Sequence, residues 1–278
     1  MDRIDPVVLT HNTDQTSFGN NCFFDQRIIT KTERLPFTIK VVSDFAGLEK
    51  AVDMRRSAYR RHLPEFAESL MVEPADYAQG TVVLLAESRL DGGPLGTMRI
   101  QTNEHAPLAV QQSIELPAWL HAARLAEATR LGVAGGMIGR VVKVALCKAL
   151  FMYCGLNEVD WMVITARAPL DREYEAMLFS DVYGHNEFRP MAHVGGLAHR
   201  VMAKPVAAAR QRWAEVSHPL FSFVFETYHP DIDVSGTWTE GGTTGGTLAE
   251  PATGQPAAPE GLPVAGTSPA FVPPAVEV

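Results

Sequence analysis

The sequence predicts an α/β (α+β) fold, a mixed sheet with helices packed on it, and three observations predict it. Residues 125–150 read as a strand, a glycine-rich turn and a helix in succession. Residues 81–87 and 95–101 are apolar runs joined by Asp91-Gly92-Gly93-Pro94, the composition of a hairpin turn. The remaining apolar stretches alternate between strand-like and helix-like spacing, which places helices against a sheet rather than in a bundle.

In chain order, residues 1 to about 35 are polar and irregular and are expected to form a flexible arm. A strand is predicted over 37–42 and a helix over 45–62, where Leu48, Ala51, Val52, Met54 and Ala58 recur at helical spacing and Ser43 or Asp44 stands ready as N-cap. The polar side of that helix is basic, with Arg55, Arg56, Arg60, Arg61 and His62, and Pro64 ends it. Short helical turns are expected in 65–78, then the hairpin.

The unit at 125–150 organises the chain. Leu125, Glu127, Thr129, Leu131 and Val133 alternate with Ala126, Ala128, Arg130 and Gly132, a period of two. After Ala134-Gly135-Gly136, apolar residues return as Ile138, Val141, Val142, Ala145, Leu146, Ala149 and Leu150, a helical period. A helix start fed by small residues offers free N–H groups and a positive dipole end to a phosphate. Glu127 and Arg130 stand in a segment otherwise fit for burial, so each needs a partner or a ligand. Further on, a buried strand is predicted over 159–165, a helix over 169–179, one or two strands over 187–203 broken at Gly195-Gly196, and helix over 205–228 interrupted at Pro219.

From Ser235 to Val278 the chain holds eight Gly, seven Pro and four Glu but no Lys or Arg. Such a segment buries too little apolar surface to offset its ordering entropy, so a disordered acidic tail is expected over 235–278. The net charge of −8 argues against nucleic acid as a partner. Cys22, Cys147 and Cys154 give neither metal spacing nor a disulfide framework, and the nine histidines show no ligand spacing, so no metal is expected. No signal peptide or transmembrane stretch is read, and a cytoplasmic location is expected.

The element order resembles the GNAT acyltransferase fold, whose central sheet is mostly antiparallel, and four motifs resemble one branch of it. They are Arg55-Arg56-Ser57-Ala58-Tyr59 on the first helix, Glu73-Pro74-Ala75-Asp76-Tyr77 before the hairpin, Gly96-Thr97-Met98-Arg99 in it, and Glu127-Ala128-Thr129-Arg130-Leu131-Gly132-Val133 on the central strand. They occur in the order found in acyl-homoserine lactone (autoinducer) synthases and FeeM-type N-acyl amino acid synthases. The loop after the first helix lacks the tryptophan of the autoinducer pattern, and Gln79 and Gly80 stand where its second acid would be, which favours the amino acid branch.

The resemblance implies one acyltransferase domain over 36–230 that moves a fatty acyl group from an acyl carrier protein or acyl-CoA thioester to an amino acid's α-amine. No cofactor is bound permanently; the acyl thioester is a co-substrate. A backbone N–H of the splayed central strand would polarise the thioester carbonyl. Glu127 would be the base or hold the ammonium group; the alternative is an ion pair with Arg130 or Arg99. Arg99 and Arg130 would clamp a carboxylate, or else pair with Glu127 and Asp76. Tyr174 would protonate the leaving thiolate, with Leu178 where the family usually has Gly. Val133, Gly135, Gly136, Gly139 and Arg140 would cradle the donor's phosphate, although their spacing departs from the usual GNAT run. Arg55, Tyr59 and Asp76 would line the substrate site, with a solvated helix face as the other reading of the arginine. A basic patch of Arg140, Lys143 and Lys148 would receive a carrier protein. An apolar tunnel would draw on Met137, Leu146, Leu150, Phe151, Met152, Trp161 and Met162, which otherwise are core. The competing readings are acetyl-CoA-dependent N-acetylation of a small amine or protein, and a non-catalytic protein that binds an acyl thioester or a partner.

Overall fold

The structure is a computed structural model and describes residues 29–238; of the arm expected over 1–35 and the tail expected over 235–278, residues 1–28 and 239–278 lie outside the described residues. A short strand β1 (Lys31–Thr32) pairs in parallel with β10 (Thr227–Tyr228). The main sheet begins with β2 (Phe37–Val41), on which Phe37 and Ile39 point inward and are fully buried. Helix α1 (Phe45–Arg60) follows, started by Asp44, whose carboxylate accepts from the Gly47 N–H at 2.7 Å. Its buried residues, Leu48, Ala51, Val52, Met54, Arg55 and Ala58, form one stripe, and Arg55 is an ion in the middle of it.

Short helix α2 (Pro64–Ser69) and a 3₁₀ turn at Pro74–Asp76 lead to the hairpin of β3 (Thr81–Ser88) and β4 (Pro94–Thr102). Two small helices, α3 (Ala109–Ser113) and α4 (Ala118–His121), precede the central strand β5 (Leu125–Val133) and the long helix α5 (Gly136–Leu156). Then come β6 (Trp161–Ala166), α6 (Leu170–Ala176), β7 (Ser180–Asp181), β8 (Phe188–Met191), β9 (Leu197–Pro205), α7 (Ala209–Glu215), a π-helical turn at Ser222–Glu226 and β11 (Ile232–Asp233). Asp171 and Asp181 both pair with the buried guanidinium of Arg200, Asp181 accepting two bonds of 2.9 Å.

The strands run in the order β11-β2-β3-β4-β5-β6-β9-β7, with β8 also paired to β9. Only the β11–β2 and β5–β6 pairs of this sheet are parallel, so it is mixed, as the element order predicts, and mostly antiparallel, as the resemblance implies. Alternation along each strand then divides the core. Ala126 and Ala128 of β5 join Val142, Leu146 and Leu150 of α5 on one face. Leu125 and Val163 join Leu108 and Val110 near α3 on the other. Helix α1 covers that second face over β3, β4 and β5. It comes so close that a Cβ on Gly132 would stand 3.2 Å from the Ala58 Cβ and 3.3 Å from the Arg55 Cα. Among the described residues, no helix is long and apolar enough to cross a membrane, and no group of acidic, His and Cys residues is arranged to hold a metal ion.

Candidate active site

The site arises where β5 and β6 part. Their parallel pairing runs from Leu125 opposite Trp161 to Ala128 opposite Ile164 and stops there. On its other edge β5 stays paired with β4 as far as Val133, but the register slips between Thr97 and Arg99. At that slip Arg130 adopts φ +54°, the left-handed region that non-glycine residues seldom occupy. The kink turns the end of β5 away from β6 and leaves a cleft of about 330 Å³ between the two arms. Residues 128–131 form one wall and residues 165–170 the other; Tyr59, His62, Leu63 and Phe66 close one side, and Tyr174, His193, Val194, Leu197 and His199 the rest. A mostly apolar cleft with a few convergent polar groups is the usual form of a small-molecule site.

Behind Arg130 lies a chain of ion pairs. Arg130 donates to the Glu73 carboxylate at 2.5 and 3.4 Å, Arg99 donates to the same carboxylate at 2.7 Å, and Asp76 stands between Arg99 at 3.4 Å and Arg55 at 2.9 Å. Asp76 also accepts the Glu73 backbone N–H at 3.0 Å, which locks the 3₁₀ turn to the network. Burial opposes ionisation of Glu73, yet Arg130 and Arg99 hold its carboxyl below the usual range. Three guanidinium groups face two carboxylates, so one positive charge is unbalanced, and Arg130 is the member that reaches the cleft. The Arg130 guanidinium also sits 5.6 Å from the centre of the Phe66 ring.

Several expected site residues lie elsewhere. Arg55 and Asp76 are buried against each other and do not line the cleft, because α1 presses this part of its face onto the sheet rather than toward water. Arg99 is likewise taken up, its Nε donating to Thr129 Oγ1 at 3.1 Å and its Nη1 to Glu73. Glu127 is fully buried and absent from the cleft walls, since alternation turns it toward α3, where it accepts the Val110 N–H at 3.1 Å. It makes no ion pair with Arg99 or Arg130 among the described residues, and its other carboxylate oxygen has no hydrogen-bond partner there. Burial pushes its pKa up to about 7, against the pull of the Val110 N–H and the Arg99 charge. Glu127 thus lies outside the cleft lining.

The expected basic patch also breaks up. Lys148 is buried, its ammonium donating to the carbonyls of Phe223 and Thr227 and meeting His229 Nδ1 at 2.8 Å. Lys143 pairs with Glu173, while Arg140 stays exposed. The tunnel residues do not line the cleft: Leu146, Leu150, Phe151 and Met162 are core, and Met137 is exposed.

Tyr59, Arg130 and Tyr174 do line the cleft. Burial raises the Tyr174 pKa well above that of an ordinary phenol, so its hydroxyl stays protonated. Its helix ends through Leu178, at φ +62°, with the Phe179 N–H returning to the Tyr174 carbonyl at 3.0 Å. That is a turn glycine would favour, and here leucine adopts it. At the other end of β5, α5 starts from Gly135 with no side-chain cap, leaving its first N–H groups open. Arg61 reaches over this turn to donate to the Val133 carbonyl at 2.7 Å, and a Cβ on Gly135 would stand 3.0 Å from its guanidinium. Gly136, Met137 and Arg140 are exposed around the turn, and Gly139 is buried beneath it.

Sequence reasoning missed His193 and His199 as cleft residues and Arg61 as a neighbour of the glycine turn. The pair of histidines reads from sequence as strand or surface residues, and only the pairing of β9 with β6 and the packing of the β8–β9 turn against α3 bring them here. No motif signals them.

Comparison with known proteins gives three results. The family model described as N-acyl amino acid synthase FeeM matches residues 50–200, more than half of the chain. The solved structure of FeeM, an N-acyl amino acid synthase from uncultured soil microbes, superposes with a TM-score of 0.54 at 14% identity, covering 65% of this chain and 96% of that one. A coenzyme A-dependent acyl-homoserine lactone synthase, BjaI, gives 0.45 at 14% identity over 73% of this chain and 95% of that one. An acetyltransferase of the GNAT family from Desulfovibrio desulfuricans gives 0.44 at 13% identity over 61% and 99%. No curated protein sequence matches.

Proposed function

The chain belongs to the FeeM family of N-acyl amino acid synthases and is an acyltransferase of that type, and from this premise we propose that it joins a fatty acyl group, carried as a thioester on acyl carrier protein or coenzyme A, to the α-amine of an amino acid. The observation that carries the choice of acceptor is Arg130, a cation held at the wall of an apolar cleft by a network with one positive charge to spare. A guanidinium so placed suits the carboxylate of an amino acid by paired hydrogen bonds.

In this reading the thioester lies between the arms of β5 and β6. Its carbonyl oxygen takes a hydrogen bond from a backbone N–H of the Thr129–Leu131 stretch, where β5 has lost its β6 partner. Amine nitrogen adds to the thioester carbon and gives up a proton, the C–S bond breaks, and the Tyr174 hydroxyl supplies the proton that the thiolate takes up, regaining its own from solvent. The donor's phosphate sits on the open N–H groups of α5 beside Arg61. Leu63, Phe66, Leu131, Leu170, Val194 and Leu197 offer the apolar lining that an acyl chain needs.

The test is mass spectrometry of lipid extracts from cells making the intact chain, Arg130→Gln, or vector alone. N-acyl amino acids are expected with the first and a loss of at least about tenfold with the second, the size of effect expected when a charged hydrogen-bond partner is removed. Lipid profiles identical to vector alone, with soluble parent protein present, would sink the reading.

A further inference from the structure

With Glu127 turned away, the cleft needs another group to take the amine's proton. His193 sits on the 3₁₀ turn Ala192–Val194 between β8 and β9 and lines the cleft together with Arg130. Its Nδ1 is closed off from solvent and has no hydrogen-bond partner among the described residues. A buried, unpartnered ring nitrogen is costly unless a ligand or a turn of the ring satisfies it. The other cleft imidazoles differ: His199 Nδ1 is engaged with the Leu197 carbonyl at 2.8 Å, and His62 is exposed at the end of α1. Tyr59 and Tyr174 are held protonated by burial, and Arg130 and Arg167 carry no lone pair to offer.

We infer that the imidazole of His193 accepts the proton lost by the acceptor's amine as it attacks the thioester. The inference rests on the acyl-transfer reading above. The balance is simple: the amine nitrogen forms the new C–N bond, its proton passes to the imidazole, and the C–S electron pair leaves with sulfur, which takes a proton. Amide and free thiol result, and His193 returns its proton to solvent.

The charges around His193 make this base depend on the acceptor. Burial, then the cations of Arg130 and Arg99 with His199, disfavour imidazolium, while Glu73 favours it; the pKa falls to about 4 and the free site holds a neutral ring. A carboxylate bound at Arg130 offsets the largest of those charges, so acceptor binding raises the proton affinity of His193. Tyr59, His62, Arg167 and Tyr174 complete the titratable groups facing the cleft.

The experiment has two arms on the full chain. In the first, histidine ring NMR follows the His193 resonance, identified by its loss in His193→Gln, with sodium acetate as the carboxylate probe. His193 is expected to titrate below an ordinary imidazole and to move upward in acetate, and to ignore acetate in Arg130→Gln. In the second, thiol release from decanoyl-CoA with a mixture of the twenty amino acids is measured across pH. His193→Ala is expected to lower kcat by roughly 10²-fold or more with KM little changed, to lose the acidic limb of the pH profile, and to regain turnover with added imidazole. A His193 resonance that ignores acetate in the parent chain overturns the inference. So does His193→Ala with kcat within about threefold of the parent, well short of the loss that removing a general base causes. An acetate response in a parent that releases no thiol would support the placement of His193 and count against the acyl-transfer reading, so the two failures are distinguishable.

Discussion

The two halves of β5 share one alternating pattern and meet opposite fates. From Leu125 to Ala128 the strand is paired on both edges, buried, and carries a carboxyl sealed under α3. From Thr129 to Val133 it is paired on one edge, kinked at Arg130, and carries a guanidinium that reaches a cleft. The acid of the first half has one backbone hydrogen bond and, among the described residues, no counter-ion; the base of the second has a counter-ion that itself belongs to a longer network. The difference teaches that pairing decides what an ionic residue does. Where both edges of the strand are satisfied, the charge is suppressed by burial; where one edge is released, the charge is kept and turned outward.

The largest effect should come from cutting the network that supports the open half. Asp76→Ala leaves the guanidiniums of Arg55 and Arg99 buried with fewer partners, and should cost about 3–5 kcal/mol in chemical unfolding, the range for breaking a buried ion pair. A loss under about 1 kcal/mol, the scale of exposed pairs, would show that this half does not depend on the network.

The closed half predicts a pH effect. Glu127 is raised from 4.5 to about 7 in the folded protein, so between those values the folded chain binds a proton that the unfolded chain has released. Stability from this group is therefore full below about 4.5 and falls as pH rises toward 7 and beyond. The shift corresponds to roughly 3 kcal/mol by linkage. Glu127→Gln keeps an acceptor for the Val110 N–H and carries no charge, so its urea midpoint should fall less than the parent's between pH 5 and about 8, with other titrating groups common to both. Parallel pH curves for parent and variant would show that Glu127 is no more protonated folded than unfolded.

A smaller effect probes the join between α1 and the open half. Gly132→Val forces a side chain into contact with Ala58 and the Arg55 backbone, and overpacking of this kind costs about 1–3 kcal/mol. It should also lower product formation in the lipid assay, because α1 carries the Tyr59 wall of the cleft. Wild-type stability in that variant would mean α1 can move off β5 freely.

The sequence by itself determined the element order, because hydrophobic period and turn chemistry are local: α1, the β3–β4 hairpin, β5, α5 and the β8–β9 break at Gly195-Gly196 all follow from spacing. It also determined the four motifs, and with them the family. It did not determine which motif residues meet the cleft. Arg55, Asp76, Arg99 and Glu127 are ionic members of the same four motifs as Arg130, yet four are buried away from the cleft and one lines it. That division depends on a one-residue slip between β4 and β5 and on the point where β5 leaves β6, both set by strands far apart in the chain. His193 reaches the same cleft from about sixty residues away for the same reason. Residue type is written locally; which side of a strand stays open to a ligand is decided by the neighbours that pair with it.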